Sequence, residues 1–311
     1  MIVDCYTHVW DSNDELGRCT PVRGHQLPVA QQGVTQFGAG RDRHQLAAEP
    51  CDVSLVLGFK SAYLDAHVTN DKVAEYVARH PDRLIGLAGI DPSHPREAIA
   101  EMTRARTELA MPGIAVAPAA QGFHPANSSA MLVYAEAADR DMPVLFHAGV
   151  FITRETKLEF AQPVLLDEVA RELPKLRIVI AHLGFPWVQE TIVLLAKHPN
   201  VFAEVSWLVH QPWQAYNALL TAYQYGVMNK LLFGSGFPTA TASQCIEALY
   251  SINHLVHETN LPTIPREVLR GIVERDALSL LGIPVPKGVS VAVSATADDA
   301  DDTDERNGLS S

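Results

Sequence analysis

Eight short apolar runs, separated by longer stretches of helical character, constrain this chain more than any other feature. They centre on Ile2–His8, Asp52–Leu57, Leu84–Ile90, Gly113–Ala117, Val144–His147, Arg177–His182, Val201–Ser206 and Leu231–Ser235. Each has the length and the Val, Ile and Leu content of a strand covered on both faces. Between most of them lie Asn70–His80, Pro95–Leu109, Ser128–Asp141, Gln162–Leu173, Pro186–Lys197 and Trp213–Tyr225. After the eighth run, Ser243–Glu258 brings Cys245, Leu249, Ile252 and Val256 to one helical face. A last helix is predicted over Pro265–Leu281, opening on proline and closing before Gly282 and Pro284. Strands alternating with helices in this number predict a single α/β (β/α)8 barrel over residues 1–284. An open doubly wound sheet is the rival fold. It would more often carry a glycine-rich phosphate turn after its first strand, and this chain has none there.

Two segments depart from the repeat. Asp11–Pro50 is a long excursion from the C-terminal end of the first strand, where barrel enzymes build their sites. A substrate lid and an oligomer contact, as in a homodimer, are equally good readings of it. Residues 285–311 carry six acidic against two basic side chains, a net −4 of the chain's −12, and almost no large apolar ones. That composition predicts a disordered acidic tail. The remaining −8 is spread through the barrel, which argues against nucleic acid or an anionic membrane as partner. No apolar run approaches the ~18 residues of a membrane helix. The N-terminus enters a strand without signal-peptide character, so a cytoplasmic location is expected. Cys5, Cys19, Cys51 and Cys245 form no CxxC pair, which favours reduced thiols. Strand alternation points Cys5 away from Tyr6 and His8, as a small buried side chain rather than a nucleophile.

The same alternation puts Asp4, Tyr6 and His8 on one face of the first strand. Two later strands end in histidine followed two residues on by glycine: Phe146-His147-Ala148-Gly149 and Ala181-His182-Leu183-Gly184. Histidines at the ends of separate barrel strands are how such a fold assembles a metal site. A hydrolytic zinc keeps three protein ligands and one open position, whose water ionises near pH 7.

At these motifs, and at Asn200–Ser206, Phe233–Pro238 and Val273–Leu281, the chain resembles the amidohydrolase superfamily. The resemblance runs from Met1 to about Pro284. It is to the amidohydrolase-related branch that contains aminocarboxymuconate-semialdehyde decarboxylase, resorcylate decarboxylases and related hydrolases. The resemblance implies that His8 and His147 are metal ligands, for zinc or manganese. It implies that His182 is either a second-metal ligand or the catalytic acid/base. It also exposes departures. The first-strand HxH is Tyr6-x-His8. The final Gly-Ser-Asp is Gly234-Ser235-Gly236, so Gly236 replaces the expected aspartate. The Lys-Leu-His of the fourth strand is Ala115-Val116-Ala117. Tyrosine is a poor zinc ligand near neutrality, because its phenol must first lose a proton of pKa near 10. A divalent metal is therefore expected to be weakly bound or absent.

The expected function is hydrolysis or decarboxylation of a small carboxylated or aromatic molecule. His182 is the expected acid/base, and Tyr6, Glu204 and His210 are the expected substrate contacts. Asp4 and Ser235 are candidate helpers. The alternative is a catalytically silent barrel that binds a small molecule or serves as a partner subunit, its histidines relics of a lost site.

Overall fold

The computed structural model describes residues 1–19, 38–149, 155–208 and 211–289. Eight strands form one parallel sheet: β1 Val3–His8, β2 Val53–Leu57, β3 Leu84–Gly89, β4 Ile114–Val116, β5 Val144–Phe146, β6 Ile178–Ile180, β7 Val201–Glu204 and β8 Leu231–Leu232. Neighbours in the sheet are neighbours in the strand sequence. The first and last strands meet through a parallel bridge between Thr7 and Phe237. Three backbone bonds reinforce that join: Cys5 N–H to Phe233 O (2.9 Å), His8 N–H to Phe237 O (3.0 Å) and Gly236 N–H to Tyr6 O (3.0 Å). The (β/α)8 barrel read from the sequence is the fold.

Period-two alternation sorts the strand side chains into two layers. Val53, Leu55 and Leu57 point to the interior cluster with Leu87, Leu145, Val179, Phe202 and Leu232. Val56, Ala88, Phe146, Ile180 and Ala203 face the helices instead. Each Leu, Val or Phe so buried contributes roughly 1.5–3 kcal/mol, which makes the double layer the main source of stability. The C-terminal helix Ala277–Leu281 adds Ala277, Leu278, Leu281 and Ile283 to the interior cluster beside Val3 and Val53. Val285 and Val289 pack against it too, so packing runs past the expected boundary at residue 284. The tail expected to be disordered lies, from residue 290 on, outside the described residues. No helix among the described residues is long and apolar enough to cross a membrane.

Three predicted helices differ in detail. Pro265–Leu281 is two helices, Arg266–Val273 and Ala277–Leu281. At the break, the Arg275 guanidinium donates to Leu231 O (3.0 Å) and Met228 O (3.1 Å), pinning the chain to β8. Asp276 then caps the second helix by accepting from Ser279 N–H (3.1 Å). Ser243–Glu258 is a helix over Ala242–Ser251 followed by a 3-10 segment over Ile252–Val256. Gln162–Leu173 opens as a 3-10 turn and becomes α-helical at Leu166–Glu172. A short antiparallel hairpin, Phe59–Ser61 with Ala66–Val68, follows β2 and was not expected. Of the excursion over residues 11–50, the structure describes a 3-10 segment Asn13–Cys19 and a helix Arg41–Ala47. Residues 20–37 of the proposed lid or dimer contact lie outside the described residues.

The helix Arg41–Ala47 docks His44 against the loop after β8, with the imidazole 5.1 Å from the Phe237 ring. His44 is fully buried, and its Nδ1 lies 2.8 Å from the Tyr76 hydroxyl. Burial lowers its pKa from 6.5 to about 4. As pH falls below 6.5 the unfolded chain takes up a proton that the folded chain refuses until about 4. Stability is therefore lost across that window, by about 3 kcal/mol for this residue alone. His44→Phe keeps the ring and removes the titration. Its thermal midpoint is expected to fall less than the native protein's between pH 6.5 and 4. Parallel midpoint-against-pH curves would show that His44 does not contribute.

Candidate active site

Four rings meet where β1, β5 and β6 end. Tyr6 lies at their centre. Its ring centroid is 5.0 Å from that of His8, 5.8 Å from His147 and 4.6 Å from His182. The His147 and His182 centroids are 5.0 Å apart. The Tyr6 hydroxyl makes a short hydrogen bond with His147 Nδ1. Tyr6 and His182 are buried, whereas His8 and His147 are half-buried and form the outer part of the group. The three strand-end histidines quoted from the sequence therefore do converge, around a phenol. Among the described residues, no three His, Cys, Asp or Glu side chains are grouped so as to hold a metal ion.

The first strand does not keep strict alternation. Its pairing with β2 shifts register between Asp4 and Thr7, as at a bulge. Cys5 and Tyr6 consequently pack in the same interior cluster, so Cys5 does not point away from Tyr6 as expected. Cys5 is fully buried, and burial with the charges of Asp4 and Glu204 holds its thiol far above the usual range. Asp4 reaches across the join of the barrel and accepts from Ser235 N–H (2.8 Å) and Tyr6 N–H (3.2 Å). It supports backbone on both sides of the join.

Glu204 ends β7 and lies fully buried. Its Oε1 accepts from His182 N–H (2.5 Å) and from the Ser206 hydroxyl (3.0 Å), and its Oε2 accepts from Ser206 N–H (2.7 Å). The Ser206 hydroxyl is also 2.7 Å from His182 Nδ1. Both oxygens of Glu204, expected to contact substrate, accept from groups of the protein itself. Ser206 was not singled out in the sequence. The available signal was a serine two residues after a strand-end glutamate, on the same face. His210, the remaining expected contact, lies outside the described residues.

The backbone at these strand ends is unusual. His182 (φ 56°), Leu183 (φ 49°) and Trp207 (φ 70°) all take left-handed conformations, which non-glycine residues adopt at a cost. Glycine is needed at two neighbouring places. A Cβ on Gly149 would overlap the Phe185 carbonyl oxygen. Gly236 has φ 71°, and a Cβ there would lie 3.2 Å from Ser206 Cβ and 3.3 Å from its hydroxyl oxygen. Thr239 Oγ1 is equally close, at 3.2 Å, so a side chain at 236 would be crowded from two sides.

Burial dominates the electrostatics. It lowers His8 to about 4 against a Leu57 backbone bond, and lowers His147 to about 3, helped by His8. His182 is pushed well below 6.5 by burial and then by the other two imidazoles, with Ser206 opposing. Burial, then the charge of Glu204, pushes the Tyr6 phenol well above 10. At neutral pH each imidazole is therefore uncharged, with one donor and one acceptor nitrogen, and the phenol keeps its proton. Burial raises Glu204 to about 7 and Asp4 to about 6, in each case against the hydrogen bonds just described.

A model of the amidohydrolase family matches residues 3–283, and the chain belongs to that family. One relative is 2-amino-3-carboxymuconate-6-semialdehyde decarboxylase of Dictyostelium discoideum, 24% identical over 139 residues, a span of 39% of this chain and 39% of the relative. Among solved structures, a TIM-barrel protein of Bordetella bronchiseptica aligns with a TM-score of 0.67 at 20% identity, covering 90% of this chain and 98% of that one. A dihydroxybenzoic acid decarboxylase of Polaromonas, solved with manganese and the inhibitor 2-nitroresorcinol, aligns with a TM-score of 0.64 at 13% identity, covering 90% and 96%. The structural likenesses establish the TIM-barrel fold. Two of these three relatives are decarboxylases by name.

Proposed function

We propose that this chain is an amidohydrolase-family decarboxylase or hydrolase of a small carboxylated or aromatic molecule. In this reading it works by acid–base chemistry at His182, and the family's metal site is weakened or lost. The observation that carries it is the convergence of Tyr6, His8, His147 and His182 at the C-terminal ends of the barrel strands. That is where this fold places chemistry. Titratable groups so strongly perturbed and so close together are the usual mark of a reactive site.

The donor set does not fit the divalent metal of the relatives. Tyr6 stands where one imidazole is expected, and its hydroxyl engages Nδ1 of His147, an expected ligand. The carboxylate expected at 236 is absent, and a Cβ there would be crowded by Ser206 and Thr239 at 3.2–3.3 Å. No step is therefore routed through a metal. His182, uncharged, uses Nε2 to take a proton from water or a substrate hydroxyl. Tyr6 supplies a hydrogen bond. When His147 carries its proton on Nδ1 and donates to the phenol oxygen, the Tyr6 O–H is released to a substrate oxygen. His8, on the outer part of the group, contacts substrate.

The test is elemental analysis of protein purified without chelators, paired with turnover of ortho-hydroxybenzoates and small aryl esters and lactones before and after chelation. Well under one equivalent of zinc or manganese, with turnover that survives chelation, is expected. One tight equivalent, with activity lost on its removal, would overturn the metal-poor reading. No turnover across the panel would favour the silent binding barrel.

A further inference from the structure

We propose that Ser206 is the positioning residue of His182: together with Glu204 it holds the imidazole in the tautomer protonated on Nδ1. This rests on the acid–base role given to His182 above.

The Ser206 hydroxyl has one hydrogen and two polar neighbours, Glu204 Oε1 at 3.0 Å and His182 Nδ1 at 2.7 Å. Glu204 also receives the backbone N–H groups of His182 and Ser206, one on each oxygen. The two backbone N–H groups favour the ionised form of Glu204, which can only accept. The hydroxyl hydrogen therefore goes to Glu204, and the hydroxyl oxygen must accept from Nδ1–H. Nε2 is left with its lone pair, the state a proton acceptor needs. The same bonds hold the left-handed backbone at His182 and Trp207, one at each side of the pair. Gly236 completes the arrangement. A side chain there would crowd Ser206 and Thr239 at 3.2–3.3 Å. Ser206, the hydroxyl of this carboxylate–hydroxyl–imidazole chain, thus lies beside the β8 turn that lacks the aspartate.

The tautomer is directly measurable. In full-length protein labelled with 15N-histidine, the His182 ring, assigned by comparison with His182→Asn, should show a protonated Nδ1 and an unprotonated Nε2. Ser206→Ala removes the nearer acceptor and leaves Glu204 Oε1, 3.3 Å from Nδ1, so the proton is expected to move partly to Nε2. Ser206→Thr keeps a hydroxyl and should keep the native pattern. Turnover should follow the tautomer. Ser206→Ala should lower kcat ~10–100-fold, the scale for losing a residue that orients a reactive imidazole, with KM little changed, and Ser206→Thr should restore most of it. If Ser206→Ala does not fold, Ser206→Cys replaces it: the thiol is a weak acceptor in the same place, so the proton should likewise move partly from Nδ1. A native His182 protonated on Nε2, or a tautomer indifferent to these changes in a folded variant, would overturn the proposal. A switched tautomer with undiminished turnover would sink the acid–base role of His182 and leave the Ser206 assignment standing.

Discussion

His182→Ala is expected to lower turnover at least ~100-fold, the usual scale for a general acid or base, while leaving a folded barrel. The imidazole belongs to the site, not to the layer that holds strands to helices. The residue's N–H remains to satisfy Glu204. The stability cost comes from two sources. A buried ring is lost, and an alanine must hold φ near 56°, which histidine tolerates somewhat better. Asparagine also tolerates that conformation, so His182→Asn separates the two effects. It should be as inactive as His182→Ala and closer to the native thermal midpoint. A folded His182→Ala with near-native turnover would remove the residue from the chemistry.

Gly236→Asp is the simplest way to return a carboxylate to β8, and on its own it is expected to harm the protein. Aspartate must adopt φ 71° and place its Cβ 3.2 Å from Ser206 Cβ and from Thr239 Oγ1. Aspartate visits left-handed backbone more readily than most residues, so crowding of a packed site, typically ~1–3 kcal/mol, is the main cost. A fall of several degrees or more in the thermal midpoint should follow. Ser206→Gly opens the crowded side, so the pair should be less damaging than the sum of the singles, by ~1 kcal/mol or more. The same logic applies to metal. Tyr6→His with Gly236→Asp restores the donors but not the room. The triple change with Ser206→Gly restores both. Only the triple variant should purify with close to one equivalent of zinc or manganese, and only its midpoint should rise when metal is added. A double variant that takes up a full equivalent at native stability would show that Ser206 yields freely.

These expectations rest on features of unequal visibility in the chain. The barrel strands were legible because a strand buried on both faces is apolar nearly throughout: Ile178–Ile180 is wholly so, and Val53–Leu57 departs only at Ser54. His147 and His182 were legible because glycine follows each at a fixed distance. What was hidden depends on contacts distant in sequence. The break in the last helix comes from Arg275 reaching carbonyls of residues 228 and 231. The shared cluster of Cys5 and Tyr6 comes from a register shift against β2 that alternation cannot anticipate. Ser206 is an ordinary serine until His182 and Gly236 are brought beside it. Gly236 was legible as a lost ligand. Its left-handed backbone, which hinders any side chain from returning, was not.

The join between β1 and β8 has a consequence for how the molecule comes into being. Tyr6 and Gly236 face each other across it, and Asp4 and Ser235, 231 residues apart in the chain, are bonded there. Closing so long a loop is entropically costly and contributes little until much of the barrel is in place. During synthesis the N-terminal strand must wait for nearly the whole chain before its partner exists. The four rings, by contrast, can begin to gather once β6 has been made, since His182 is the last of them. The reactive group is thus assembled against an open edge, with Ser206 and then Gly236 arriving later. In a nascent chain the histidines would pass through an interval in which they are close together but not yet restrained by Ser206, Glu204 and the β8 loop. A phenol already bonded to His147 would leave that unfinished cluster less inclined to capture a stray metal ion before the barrel is shut.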